Sequence, residues 1–167
     1  MLGRILSKVA AWALARNQPG SYAGEDDRRW AYTIEVDGEK YLTRILLPRV
    51  LGVRVMLHHI LRPDSDRNLH NHPWRWARSI VLCGAYDEER LEQVVETVDH
   101  EGREYAVPLT VERTVRRHNK ITEHDYHRIT RLHGDVWTLF ITGTRAQDWG
   151  FLVDGVHVPW RKYLGKE

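Results

Sequence analysis

His70-Asn71-His72-Pro73-Trp74-Arg75-Trp76, running on into Ala77-Arg78-Ser79-Ile80-Val81-Leu82-Cys83, is the stretch whose reading decides the fold. Side chains of an extended strand alternate between two faces, so positions 70 and 72 project together while Asn71 points away. Two imidazoles side by side, joined by a third from another strand, make a three-nitrogen metal site with open positions for water or substrate. The competing reading is a chance pair of surface histidines, since the chain has ten. The surroundings of the pair bear on that choice.

Upstream, Trp30-Ala31-Tyr32-Thr33-Ile34-Glu35-Val36 alternates, Asp37-Gly38 turns, and Tyr41-Leu42-Thr43-Arg44-Ile45-Leu46-Leu47 returns, which is a strong hairpin signal. A strand over 53–61 follows and ends at Pro63-Asp64-Ser65-Asp66. Downstream, the pattern predicts strands over 77–86, 91–98, 109–116, 126–133, 136–142 and 149–153. They are separated by turns at Asp99-His100-Glu101-Gly102, Gly134-Asp135, Gly143-Thr144 and Asp154-Gly155. About nine short strands at regular spacing predict an all-β sandwich or barrel.

One helix is expected, over the first sixteen residues, with Leu2, Ile5, Leu6, Val9, Trp12 and Ala13 on one stripe. Asn17-Gln18-Pro19-Gly20-Ser21 stops it, and Gly24-Glu25-Asp26-Asp27 reads as loop. The expected organisation is an amphipathic helix over 1–20 and a β-barrel domain over 28–167. Arg4, Lys8 and Arg16 interrupt any secretory apolar region, so the helix is expected to dock on the barrel or on a second subunit. A homodimer follows from that expectation, with peripheral membrane contact as the minor alternative.

A chain of 167 residues suits one domain. Its 25 basic and 23 acidic residues leave a net charge of +2, too balanced to argue for nucleic acid or anionic membrane by electrostatics. Arg113, Arg116, Arg117 and Lys120 read as a solvated strand edge. No apolar run approaches the roughly 20 residues that span a bilayer. The single cysteine, Cys83, excludes an internal disulfide and fits a reducing cytoplasm.

The stretch 64–84 resembles the first motif of the cupin superfamily, in which Gly, five residues, His-x-His, a short gap, Glu, six residues and Gly occur in order. His70, His72 and Gly84 match; Asp64 stands at the first Gly and Ala77 at the Glu. The second cupin motif contributes one more histidine, and His127 in Tyr126-His127-Arg128-Ile129 takes that place. Arg116, Thr122 and His124 stand where that motif has its glycines and proline. The likeness covers 53–153. His-x-His-Pro-Trp with Gly84-Ala85-Tyr86-Asp87-Glu88, His127-Arg128, Trp137-Thr138-Leu139-Phe140 and Trp149-Gly150-Phe151 is also similar to small cupin-like proteins of phages and bacteria, most without an assigned reaction.

The resemblance implies a small cupin-like barrel, a double-stranded β-helix, with His70, His72 and His127 as metal ligands. Ala77 removes the carboxylate that many cupins add, leaving three neutral imidazoles. Iron(II) is the first choice by analogy; zinc, nickel or copper also suit the donors. The alternative is a barrel that has lost its metal and keeps these histidines as interior polar groups. His124 and His133 are substitutes for the third ligand. Of the adjacent pair His58 and His59, the period Val53, Val55, Leu57, His59 predicts His59 inward. His100, His118 and His157 read as surface residues.

Substrate contacts are expected from Arg62, Arg78 and Arg128 as an anion clamp, with Arg54 and Arg75 as further candidates, and from Trp74 and Trp137 as stacking surfaces. Trp76 and Trp149 could join them, although core and dimer packing are commoner uses of tryptophan. Asp87, Glu88 and Glu89 are nearby candidates for pairing with these arginines or for general base work, although a solvated charge cluster in a turn over 86–90 is the safer reading. The expected function is a cytoplasmic, metal-dependent cupin-type enzyme, a non-haem iron oxygenase acting on a small anionic or aromatic or sugar-like substrate. A Lewis-acid isomerase or hydrolase, or a non-catalytic module binding a small ligand or partner, are the alternatives.

Overall fold

Asp37 and Gly38 both adopt positive φ, 56° and 77°, the geometry of the tight turns that match strand twist. They fold β1 (Ala31–Val36) back onto β2 (Glu39–Leu46), as the sequence predicts. The computed structural model describes residues 1–16, 30–49 and 53–166. The expected stop at Asn17-Gln18-Pro19-Gly20-Ser21 and the loop at Gly24-Glu25-Asp26-Asp27 lie outside the described residues. The remaining elements are α1 (Leu2–Ala15), β3 (Arg54–Ile60), β4 (Trp76–Val98), β5 (Glu104–Val115), β6 (His118–Thr122), β7 (His127–Thr142), β8 (Gly150–Val153), β9 (Val156–Pro159) and α2 (Trp160–Tyr163).

Two long strands organise the molecule. The stretches 77–86 and 91–98, expected as separate strands, are one strand, β4, and 126–133 and 136–142 are one strand, β7. Gly84 (φ 70°) and Gly134 (φ 79°) supply bends rather than turns, and the β4–β7 register shifts between Val81 and Cys83 and again before Ala85. An extra residue on one strand of a pair lets it curve without leaving the ladder. Residues 76–80 of β4 pair with β6, whereas 86–98 pair with β5. β7 pairs with β3 only through 136–142.

Each long strand therefore serves two layers. One layer runs β1-β2-β3-β7-β4-β6 through the later part of β7 and the earlier part of β4. The other runs from β5 through the rest of β4 and β7 to His70, which bridges both His127 and Phe151 of β8. Their facing surfaces close on Leu42 and Ile60 from the first layer, with Val136, against Tyr86, Val115 and Ile129 from the second. Met56, Ala77, Ile121 and Phe140 fill a neighbouring core. β6, β9 and α2 were not expected; β6 lies where the sequence reads as solvated edge, yet its Asn119 and Ile121 are buried.

Helix α1 lies on the outer face of the first layer. Ala10 and Ala13 pack there on Ala31, Ile45, Leu57 and Trp137. This departs from the expected stripe: Gly3, Ala10 and Ala13 are the buried positions, and Leu2, Ile5, Val9 and Trp12 stay between 43% and 53% exposed. The outer covering also explains the misread parity of β3. With both faces apolar, alternation no longer tells inside from outside. Met56, His58 and Ile60 face the interior, whereas His59 stacks on Trp137 at 4.0 Å on the helix side.

Candidate metal centre

His70 is set opposite His127 by a reciprocal backbone pair, His70 N to His127 O at 3.0 Å and His127 N to His70 O at 2.9 Å. Asn71 points the other way, as strand alternation requires. Its buried side chain accepts from Gly150 N at 2.8 Å and donates to Glu123 O at 3.4 Å. Gln147 then donates through Nε2 to His72 O at 3.1 Å and Glu123 O at 2.6 Å. These bonds clamp a segment that has no long strand of its own.

The predicted trio is brought together: one donor nitrogen each from His70, His72 and His127 lies within 4.8 Å of the others. His72 Nε2 and His127 Nε2 are 2.9 Å apart. Two ligands about 2.05 Å from one metal and at right angles to each other sit about 2.9 Å apart, so this spacing suits neighbouring positions of an octahedron. The donor set fits a divalent transition metal. His70 and His72 are half-buried while His127 is buried, so solvent reaches the cluster from the side of the first two. His124, with its side chain 85% exposed, stands apart, and His133 faces Asp87 at 2.9 Å; neither replaces His127.

Glu88 sits behind His127, fully buried, with Oε2 3.0 Å from His127 Nδ1. A neutral imidazole that keeps its proton on Nδ1 for this carboxylate presents the Nε2 lone pair to the centre. Arg113 Nε donates to Glu88 Oε1 at 2.7 Å and Asn119 Nδ2 to Oε2 at 2.6 Å. Burial alone would raise the carboxyl's pKa, but the hydrogen bond with His127 and the Arg113 pair outweigh it and hold it at about 2. Burial and then the Glu88 charge push the neighbouring Tyr86 up to about 12. The acidic run expected in a solvated turn is thus a buried strand segment. Its partners come from β5, β6 and β7, which no local pattern announces.

The two accessible histidines favour the neutral form. Burial lowers His70, with His127 acting in the same direction and Asp64, Asp66 and Glu88 opposing. His72 is held well below the ordinary range by burial first, then by His127, His70, Arg44 and His58. A neutral imidazole is the state a metal requires.

The expected substrate contacts fare unevenly. Trp74 stacks beside His72 at 5.6 Å between ring centroids, and Phe140 flanks His72 at 6.1 Å. Trp149 and Phe151 approach His70 at 6.5 and 6.2 Å. Trp137 is elsewhere: wholly buried on the outer face, it packs with α1 and donates to Asp135 at 3.1 Å. Arg62 is engaged by Val36 O at 2.6 Å and faces Glu39 at the end of the β1–β2 hairpin. Arg128 donates to Glu89 at 2.6 Å and to Asp66 O at 3.2 Å. Arg78 is exposed on β4, beside Lys120 of β6. Sequence reasoning missed Arg44, and it offered Glu88 as an arginine partner or general base but not as the partner of His127. Arg44 shares the parity of Leu42 and Leu46 on β2, and that lone cation between two inward leucines was the available signal.

No protein-family model matches the chain, and no curated protein matches it. Solved structures are similar in outline. The iron(II) form of HppE with the alternative substrate (S)-1-HPP shares 17% identity at a TM-score of 0.45, over 75% of this chain and 60% of that one. The chain thus spans about 60% of the length of that protein. An oxalate oxidase shares 14% identity at a TM-score of 0.39, over 92% of this chain and 75% of its own. The Drosophila melanogaster CENP-C cupin domain shares 13% at 0.37, over 86% and 96%. At these identities the function rests on the chain's own geometry. The fold is mostly antiparallel strand in two facing layers with a short N-terminal helix, and it carries three clustered histidines.

Proposed function

We propose that this chain is a metal-dependent cupin-type enzyme in which His70, His72 and His127 hold a divalent transition metal. The observation that carries the reading is the convergence of three imidazole nitrogens within 4.8 Å, one of them oriented by a buried carboxylate. Three neutral nitrogen donors without a carboxylate suit iron(II), which the cupin resemblance favours, and also zinc or nickel. When bound, iron(II) supplies oxygen chemistry at the positions the three imidazoles leave open, the basis for reading a non-haem oxygenase acting on a small anionic or aromatic substrate.

The chain's own residues prepare that site. Glu88 keeps the His127 proton on Nδ1. Asn71 and Gln147 fix the backbone that carries His70 and His72. Trp74 and Phe140 shield the His72 flank from water, and Trp74 offers a stacking face. A second reading is favoured by the 2.9 Å His72–His127 approach: one imidazole donates to the other, and the barrel is a metal-free binding module. We also place the protein in the cytoplasm as a homodimer, a reading supported by the single thiol and the exposed outer side of α1. No described helix is long and apolar enough to cross a membrane.

Elemental analysis of protein purified without an affinity tag, before and after anaerobic iron(II) reconstitution, tests this. A stoichiometric metal that disappears in His72→Ala is the expected result. Metal-free protein under both conditions would leave the binding module.

A further inference from the structure

Across the middle of β2 and β3, the inner face of the first layer is apolar except along one line. Tyr32 pairs with Arg44, Arg44 with His58, and His58 with Thr138, so four polar side chains stand in register across β1, β2, β3 and β7. The rows on either side are Leu42, Ile60 and Val136, and Leu46, Met56 and Phe140. Placing polar groups in such a surface costs free energy unless they find partners. Arg44 finds only neutral ones: Nε donates to His58 Nε2 at 3.1 Å and Nη1 to Tyr32 Oη at 3.1 Å.

A guanidinium has five N–H donors in a fixed fork. Two are used here, and among the described residues no carboxylate pairs with Arg44. Arg62, Arg90, Arg113 and Arg128 each face a carboxylate. His58 cannot supply the missing charge, because burial first and then Arg44 hold it well below the ordinary range, neutral and accepting. The line also faces the histidine cluster. His58 stacks on Phe140 at 4.9 Å, and Phe140 flanks His72 at 6.1 Å.

We infer that Arg44, steered by Tyr32 and His58, is the seat for the anionic end of a small substrate, a carboxylate or phosphoryl oxyanion, whose other end reaches the three histidines. Arg fits this task because its fork meets two oxygens at once. The inference rests on the metal reading only for where the reacting end lies; the anion seat stands on Arg44 itself.

The test is an NMR titration of arginine Nε–Hε signals in the metal-free full chain with inorganic phosphate and, separately, acetate. The Arg44 signal is assigned by its loss in Arg44→Gln. It is expected to shift saturably with at least one anion, and the tighter of the two names the oxyanion. Arg44→Gln is expected to bind about tenfold to hundredfold more weakly, as loss of one charge-assisted contact gives, with Arg44→Lys in between. An Arg44 signal unmoved by either anion in the wild-type chain overturns the proposal whether or not the variants fold. Equal affinity in Arg44→Gln does the same. Repeating the titration in His70→Ala/His72→Ala separates the two readings. Saturable Arg44 shifts there show that the seat does not need the metal ligands, and the same shifts in a wild-type chain that takes up no metal even after iron(II) reconstitution retain the seat and remove the metalloenzyme. Metal uptake without Arg44-dependent anion binding removes the seat alone.

Discussion

Replacing Glu88 by glutamine keeps the size of a fully buried side chain, removes its charge and turns one acceptor oxygen into a donor. The carboxyl is displaced from 4.5 to about 2, and each decade is worth about 1.36 kcal/mol, which sets a ceiling of about 3 kcal/mol on what the ionised form contributes to stability. Arg113, which pairs with Glu88 at 2.6 Å, has a side chain 43% exposed, so solvent screens part of that and a loss of about 2 kcal/mol is expected. The sign follows from linkage. An unfolded Glu88 takes up its proton near 4.5 while the folded one resists until about 2, so its contribution is present above the first value and lost as pH falls toward the second. Urea denaturation of metal-free wild type and Glu88→Gln at several pH values reads this directly, provided the m-value is unchanged. The stability gap is expected in full at neutral pH and should narrow through the acid window as its charge-dependent part is lost. A gap that is constant across that window, or absent at neutral pH, would refute the assignment of Glu88 as a buried, ionised partner of His127.

Three further outcomes are expected. His70→Ala/His72→Ala should abolish metal content with the barrel still folded. In the wild type, metal-supplied stability should be full above the unfolded histidine value of about 6.5 and lost as pH falls through the lower folded values, a transition missing from the double variant in chelator-controlled melts. Gly84→Ala should cost about 2 kcal/mol or more, since φ is 70° and an added Cβ would meet Asp135 O at 2.7 Å. Gly102→Ala, at φ 80° with nothing within 4 Å, should cost less, and equal thermal shifts would remove the clash argument. Finally, Ile5→Glu on the exposed side of α1 should convert a homodimer to monomer in light scattering at micromolar protein. A wild-type monomer would sink the dimer.

What the sequence determined alone was whatever depends on backbone geometry and immediate neighbours. Strand alternation sends His70 and His72 to one side and Asn71 to the other without help from any partner. Asp37-Gly38 turns because two adjacent residues tolerate positive φ. Motif order added His127, which the structure sets opposite His70. Only the tertiary structure decided the rest. The bend at Gly134 reads as a turn because glycine signals a change of direction, but not whether the chain reverses or merely curves. His58 displaced His59 from the interior because α1 covers the outer face and cancels the apolar alternation. Trp137 went to the helix for the same reason. Asp87-Glu88-Glu89 looks solvated in one dimension, and Glu88 is buried only because Arg113, Asn119 and His127 arrive from three other strands. Arg44 is one cation in an alternating strand until β1 and β3 set Tyr32 and His58 on either side of it. Local periodicity fixes which way a side chain points; what it meets there is settled by strands distant in sequence, whose arrival no local interaction encodes.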